Sequence, residues 1–330
     1  MHKIKLGLIG LGYIGKIHLQ NCIKLESAEL IAVSDISKNA LNKAKKLGVK
    51  KLYTDYEKLL NDEDIEAVII ALPTHLHHPC AIKAAENQKH ILLEKPLARN
   101  PKEGKEILSA TNKNNVKLMV GYPFRYAEPF QKLKNKIETG ELGDIQIAHA
   151  VNISSGPFMH RSEEDIPKPV PEWWMNKELT GGGVLIDLGS HMINLARWYF
   201  GEITDIKAHL GYRFNLDFED HAICIANHTL GTKTIINVGW FSQQAALSIE
   251  LYGTAAHTSA HHKPPSKAIT AIQLILKRTP KYFKPHKTEL EHFINCIKQD
   301  KQPLTTGEDA LKDLIAIEQA YKNQIFLVNL

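Results

Sequence analysis

Gly10-Leu11-Gly12-Tyr13-Ile14-Gly15 follows the apolar run Ile4–Ile9. It opens a stretch in which Ile14, Ile17, Cys22 and Leu25 recur at helical spacing. A GxGxxG between a strand and an amphipathic helix is the context in which this motif holds a dinucleotide pyrophosphate. Gly10 permits the tight turn, Gly12 lets backbone approach the phosphates, and Gly15 lets the helix pack on the strand. The amides of Tyr13 and Ile14 fall at the helix N-terminus, where partial positive charge favours an anion. Asp35, 20 residues after Gly15, ends a second predicted strand, Glu29–Ser34. An acid there accepts hydrogen bonds from ribose hydroxyls and repels a 2′-phosphate, which favours NAD over NADP. Lys38 keeps NADP open, and simple helix capping is the other reading of Asp35.

The alternation of elements continues to residue 122. Ala40, Leu41, Ala44 and Leu47 form an apolar stripe, with Ser37 as N-cap and Gly48 as stop. Ala67–Leu72 is a continuous apolar run closed by Pro73, as expected of a parallel strand buried on both faces. A helix over Ala81–Glu86, a strand over His90–Glu94, a helix over Lys102–Lys113 and a strand over Val116–Val120 follow. This series predicts an α/β protein with an N-terminal Rossmann domain, residues 1–122, built on a parallel sheet. Residues 123–330 read as a second, α+β domain. It has a helix at Pro129–Ile137, a strand at Ile145–Ile153, an irregular stretch Ser154–Glu172 and a helix starting near Gly183. Alternating strands are predicted over Ile206–Phe214, Ala222–Asn227, Thr234–Trp240 and Leu247–Leu251, with an antiparallel hairpin turning at Leu230-Gly231-Thr232. A basic, Pro-rich segment, Lys263–Pro285, surrounds a short apolar helix, Ile269–Leu276, and reads as solvated surface, an insertion or a subunit contact. Helices over about 288–299 and 307–323 finish the chain.

Composition narrows the function. The 330 residues are 43% hydrophobic and 23% charged, the mix of a globular protein of about two domains. The formal charge of +5 is dispersed, and only six of the 41 basic residues are Arg, which argues against nucleic acid. The longest apolar run, Ala67–Pro73, is far short of the roughly 20 residues that span a bilayer. Lys3 and Lys5 before Leu6–Gly15 superficially resemble a secretion signal, but no small-residue cleavage site follows. Cys22, Cys80, Cys224 and Cys296 show no CxxC spacing and read as buried thiols of a cytoplasmic protein. The clusters His75, His77, His78 and His257, His261, His262 lack Cys or acidic partners at ligand spacing, so no metal is assigned.

Two further constellations carry chemistry. Glu94-Lys95-Pro96 follows the predicted strand His90–Glu94, at the sheet edge where open parallel sheets bind ligands. A lysine there reaches nicotinamide and substrate; in a chain this rich in Lys, a solvated surface role is the alternative. Gly181-Gly182-Gly183-Val184-Leu185-Ile186-Asp187-Leu188-Gly189-Ser190-His191 places Asp187 and His191 four apart, on one face of a helix. A histidine near pKa ~6.5 takes a proton from an alcohol at neutral pH, and a carboxylate holds its charged form. A purely structural His–Asp pair fits the spacing equally well. Trp173, Trp174, Arg161 and Arg213 are candidate pocket residues, because aromatic faces suit the C–H surface of sugar rings; adjacent Trp also suit a core.

Together these residues resemble the glucose–fructose oxidoreductase, inositol dehydrogenase and rhizopine-catabolism (Gfo/Idh/MocA) family. The elements occur in family order. They are Gly10–Gly15, Pro73-Thr74-His75-Leu76-His77, Glu94-Lys95-Pro96, Val120-Gly121-Tyr122-Pro123-Phe124-Arg125-Tyr126, Gly181–His191 and Glu289-Leu290-Glu291-His292-Phe293. The resemblance implies a Rossmann domain followed by a domain with a large, mostly antiparallel sheet, through which many members form dimers or tetramers. It implies an NAD(P)-dependent oxidoreductase acting on a secondary alcohol of a sugar, cyclitol or sugar derivative. Lys95 would contact substrate and nicotinamide, His191 would be the acid/base, and Asp187 would orient the substrate or the histidine. Leu72, Thr74, His77 and Glu94 would lie along the cofactor, Arg125 near the substrate, and the Lys95–Pro96 peptide would be cis. Pro123 and Asn194 depart from the family, which often has Asn and Asp at those positions. Two alternatives stay open: a non-redox sugar-processing enzyme that recycles a tightly held NAD, and a dinucleotide-responsive regulatory protein.

Overall fold

The computed structural model describes residues 2–160, 165–167, 170–262 and 284–325. The short helix expected at Ile269–Leu276, most of the basic segment, and Arg161 lie outside the described residues. The chain divides into two compact units. One takes in residues up to Pro123 together with 284–311; the other takes in Phe124 to His262 together with 312–325.

The first unit is a six-stranded parallel sheet in the order β3-β2-β1-β4-β5-β6. Its strands are β1 (Ile4–Ile9), β2 (Ala28–Ser34), β3 (Lys51–Tyr53), β4 (Ala67–Ile70), β5 (His90–Glu94) and β6 (Leu118–Gly121). Every residue of β4 and β6 is buried, which is why these segments are uniformly apolar rather than alternating. The helices between them are α1 (Tyr13–Ile23), α2 (Lys38–Lys46), α3 (Tyr56–Leu60), α4 (His77–Glu86) and α5 (Pro101–Lys113). Ser37 caps α2 through its hydroxyl on the Ala40 amide, and Gly48, at φ +97°, ends its last turn. The strand β3 and helix α3 were not anticipated; at three and five residues they are too short to display a period.

The second unit carries a mixed, mostly antiparallel sheet in the order β10-β11-β12-β7-β13-β14. Its strands are β7 (Ile145–Ile153), β10 (Ile203–Gly211), β11 (His221–His228), β12 (Lys233–Gly239), β13 (Ala246–Gly253) and β14 (His257–His261). The β11–β12 pair is the expected antiparallel hairpin, with Gly231 at φ +90° in its turn. The short strand β14 was missed, because His257–His261 has no apolar alternation. A two-stranded ribbon, β8 (Phe158–His160) with β9 (Asp165–Pro167), lies in the stretch expected to be irregular. The helices are α6 (Glu128–Glu138), α7 (Lys177–Thr180) and α8 (Ser190–Phe200), with α8 entered through a π-helical turn at Leu185–Gly189. One face of the sheet is small and apolar, as in the row Ala208, Cys224, Ile236, Ala150, Ile249 and Ala260. The π turn and α8 pack on it at β7 and β12.

The chain returns to the first unit near its C-terminus. Helix α9 (Lys284–Lys298) packs with α1, β5 and β6 of the first unit. The following strand-like residues dock on β6. The Val120 amide donates to the Thr305 carbonyl (2.9 Å), and the Thr305 hydroxyl donates to the Val120 carbonyl (2.7 Å). The last helix, α10 (Gly307–Lys322), begins among first-unit residues Leu108 and Leu118, which crowd Gly307. A reading based on local periodicity does not register such a return of the chain.

Candidate functional site

The glycine turn has the geometry its sequence requires. Gly10 sits at φ +90°, and a Cβ there would lie 2.3 Å from the Ala71 carbonyl oxygen. A Cβ on Gly15 would lie 2.0 Å from the Gly10 oxygen, so the helix can approach the strand only without a side chain. Around Gly12 the space is open: nothing lies within 4 Å of its Cβ position. Gly12 is the N-cap of α1 and offers no side-chain acceptor, and the first turn contains no acid. The amides of Tyr13 and Ile14 stand at this N-terminus, whose partial positive charge is the complement of an anion. At the end of β2, Asp35 Oδ2 accepts from the Leu11 amide (2.6 Å) and Oδ1 from the Ser37 amide (2.7 Å). The carboxylate is thereby fixed to the glycine turn, and each oxygen keeps a lone pair for a ribose hydroxyl. These residues fit a dinucleotide. The carboxyl ends of β1, β4 and β5 share one sheet edge, and the strand order reverses between β1 and β4, where such sheets bind ligands.

On the same edge, β5 delivers Glu94 and Lys95, and the Lys95–Pro96 peptide is cis. Thr74 and Leu72 belong to the segment after β4; Thr74 is buried and Leu72 half-buried. His77 is buried at the start of α4. Its Nδ1 lies 2.8 Å from the Pro96 carbonyl oxygen and its Nε2 lies 2.9 Å from the Leu72 carbonyl oxygen. Burial lowers its pKa against the pull of those two carbonyls. The neutral ring has one N–H and donates to one carbonyl at a time. His77 thus ties the segments after β4 and β5 together.

Glu94 itself turns inward. His18 Nε2 on α1 lies 2.7 Å from its Oε1, and both side chains are buried. Burial pushes the Glu94 carboxyl up, but the His18 hydrogen bond and the charges of His18, His286 and Lys95 outweigh it, holding the group below its ordinary value. Glu289 on α9 is fully buried; burial and then the Glu94 charge push its carboxyl well above its ordinary value. A carboxyl whose pKa rises on folding costs stability as pH climbs past its unfolded value near 4.5. Each unit of that rise is worth about 1.4 kcal/mol. Glu289→Gln is therefore expected to melt higher than wild type at about pH 8, with the gain vanishing towards pH 4.5. Thermal melts across that range check it, and a pH-independent difference would contradict it.

In the second unit, Asp187 lies in the π turn and His191 in the first turn of α8. Four-residue spacing thus places them across a π-to-α junction rather than on one regular α-helical face. Such π turns are frequent at functional sites. Asp187 is half-buried, and His191 is 9% exposed with its ring 4.6 Å from that of Phe124. Arg125 is 4% exposed; its guanidinium donates to the Asn194 carbonyl (3.1 Å) and lies over Trp198. It braces α8. Trp174 is half-buried with its ring edge-on to Trp240, and Arg213 lies over Phe214. The Asn194 side chain donates to Asp313 Oδ2 (2.7 Å), and Asp313 also pairs with Arg197. A buried carboxylate from α10 thus stands beside the position where the family often carries its own acid.

Sequence reasoning missed Asp313, and it missed Glu219 and Tyr321, which meet the Gly181–Gly183 run. Among the described residues no group of three or more His, Cys, Asp and Glu has the arrangement of a metal site. None of their helices is long and apolar enough to cross a membrane. Residues 4–122 match the model of the oxidoreductase family with an NAD-binding Rossmann fold, and residues 130–258 match the C-terminal domain of the same family.

The chain belongs to the GFO/IDH/MocA family.

Its first unit is accordingly an NAD-binding Rossmann domain. Within this family, the chain is 27% identical to myo-inositol 2-dehydrogenase of Thermotoga maritima, over 94% of this chain and 93% of that protein. It is 28% identical to the NAD-dependent scyllo-inositol 2-dehydrogenase of Bacillus subtilis, over 98% and 95% respectively. The crystal structure of scyllo-inositol dehydrogenase from Lactobacillus casei, with bound NAD(H) and scyllo-inositol, aligns with a TM-score of 0.79 at 22% identity. The alignment covers 98% of this chain and 97% of that one, a likeness of fold.

Proposed function

We propose that this GFO/IDH/MocA protein is an NAD-dependent dehydrogenase that oxidises a secondary alcohol of a cyclitol, sugar or sugar derivative. The observation that carries the reading is topological. Lys95 stands at the carboxyl end of β5, on the sheet edge that also carries the Gly10–Gly15 turn and Asp35. When bound, NAD supplies the hydride acceptor at nicotinamide C4. Gly10, Gly12, Tyr13, Ile14 and Gly15 hold the pyrophosphate, and Asp35 receives the adenosine ribose, selecting NAD over NADP. Lys95 hydrogen-bonds the reacting hydroxyl and favours its loss of a proton. His191 takes that proton, and Asp187 orients the substrate or the imidazole. Arg125, engaged with α8, supports His191 rather than touching substrate. Trp174 offers an aromatic face to the ring of the substrate. The curated relatives acting on inositols support the substrate class.

The test is a screen of inositols, sugars and nucleotide-sugars that follows NADH absorbance, with NADP in parallel. Accumulation of NADH with at least one polyol is expected. Turnover without net NADH would instead assign a recycled, tightly held NAD, and binding without turnover across the panel would assign a regulatory protein.

The second sheet also supports self-association. Its outer face exposes Ile147 and Tyr252, which pair across β7 and β13, and Ile223 and Ile225 on β11. Apolar side chains in such number on one open sheet face mark an interaction surface. We assign it to a homodimer or homotetramer. Ile223→Lys with Ile225→Lys is expected to reduce the light-scattering mass to that of one chain. A monomeric wild-type protein would contradict the assignment.

A further inference from the structure

The run Gly181-Gly182-Gly183, which opens the segment bearing Asp187 and His191, is shaped by two side chains from distant parts of the second unit. Glu219 precedes β11 and is buried. Its Oε1 accepts from the Gly183 amide (3.2 Å), the Leu185 amide (2.9 Å) and the Tyr321 hydroxyl (2.8 Å). Its own carbonyl accepts from the Val184 amide (3.0 Å). The glycines make this approach sterically feasible. A Cβ on Gly182 would lie 2.2 Å from the Tyr321 hydroxyl oxygen, and one on Gly183 would lie 2.0 Å from the Glu219 carbonyl oxygen. One buried carboxylate therefore satisfies two of the orphan amides at the start of the π-to-α segment, and a phenol from α10 fixes that carboxylate from the other side.

We propose that Glu219, held by Tyr321, is a positioning residue for Asp187 and His191. Its role is to fix the height and rotation of the π turn, and through it the two functional side chains two and six residues beyond Leu185. The proposal rests on the dehydrogenase reading above. A displacement of about 1 Å at reacting groups costs on the order of 100-fold in rate, so the anchor acts on turnover rather than on NAD binding, which belongs to the first unit. Glutamine keeps the acceptor oxygen for both amides and for the phenol; alanine keeps only the backbone carbonyl that accepts from Val184.

The experiment compares wild type, Glu219→Ala, Glu219→Gln and Tyr321→Phe with the best substrate of the screen. It measures kcat, KM for NAD and the folded fraction by circular dichroism. The expected result is a fall in kcat of roughly 100-fold for Glu219→Ala, with KM for NAD within about twofold of wild type. Glu219→Gln should recover to within about tenfold of wild type, and Tyr321→Phe should fall between. If Glu219→Ala does not fold, Tyr321→Phe and Glu219→Gln carry the test. Unchanged kcat in folded Glu219→Ala, or in Tyr321→Phe where the alanine variant does not fold, overturns the proposal. So does a loss of kcat that only tracks loss of folded protein. A wild-type protein without turnover on any polyol is a different outcome, because it overturns the dehydrogenase reading itself.

Discussion

Lys95→Ala is expected to lower kcat by roughly 10²–10⁴-fold, the range over which a positioned group assisting proton transfer contributes. Binding of NAD, followed by quenching of intrinsic fluorescence, should stay close to wild type. The contrast follows from where the side chain is held. Lys95 follows β5, whose backbone is fixed on both sides by β4 and β6. His77 ties Pro96 to Leu72 independently of the lysine side chain. Truncating the amine therefore leaves the glycine turn and Asp35 untouched. Near-normal turnover in this variant would refute the assigned role. Lost NAD binding would show instead that Lys95 serves the cofactor rather than the reacting hydroxyl.

The first unit was legible because its signals are local. A buried parallel strand writes a continuous apolar run, and Gly10, Gly15 and Gly48 each stand where a φ or a close approach excludes a side chain. The hairpin at Gly231 and the alternation of β7 and β11 were readable for the same reason. What stayed hidden is non-local. Thr305 pairing with Val120, Tyr321 reaching Glu219, and Asp313 meeting Asn194 and Arg197 join residues more than a hundred positions apart. One signal was present and unread. His286 and Glu289 fall on the stripe that also holds Leu290 and Phe293, and polar residues on a buried stripe need polar partners. Both side chains act electrostatically on Glu94, the residue that precedes the candidate lysine: His286 lowers its carboxyl, and Glu94 in turn raises that of Glu289.

His191→Asn gives the second large effect, a fall in kcat of roughly 10²–10⁴-fold with KM for NAD little changed. Asparagine approximates the imidazole's volume in the site beside Phe124, so the variant should fold; it retains hydrogen-bonding capacity but cannot carry a proton near neutral pH. A rate lost through proton transfer should also lose its dependence on pH in the range where imidazole titrates, so the kcat profile should flatten between about pH 6 and 8. A variant that is slow but keeps the wild-type profile would mean that another group takes the proton. Combining His191→Asn with Lys95→Ala decides whether the two act on one event. Groups that serve a single transition state are strongly non-additive, so the double variant should be little slower than the slower single one. Multiplying losses would mean that the two residues act in separate steps, and the assignment of one hydroxyl to both would fail.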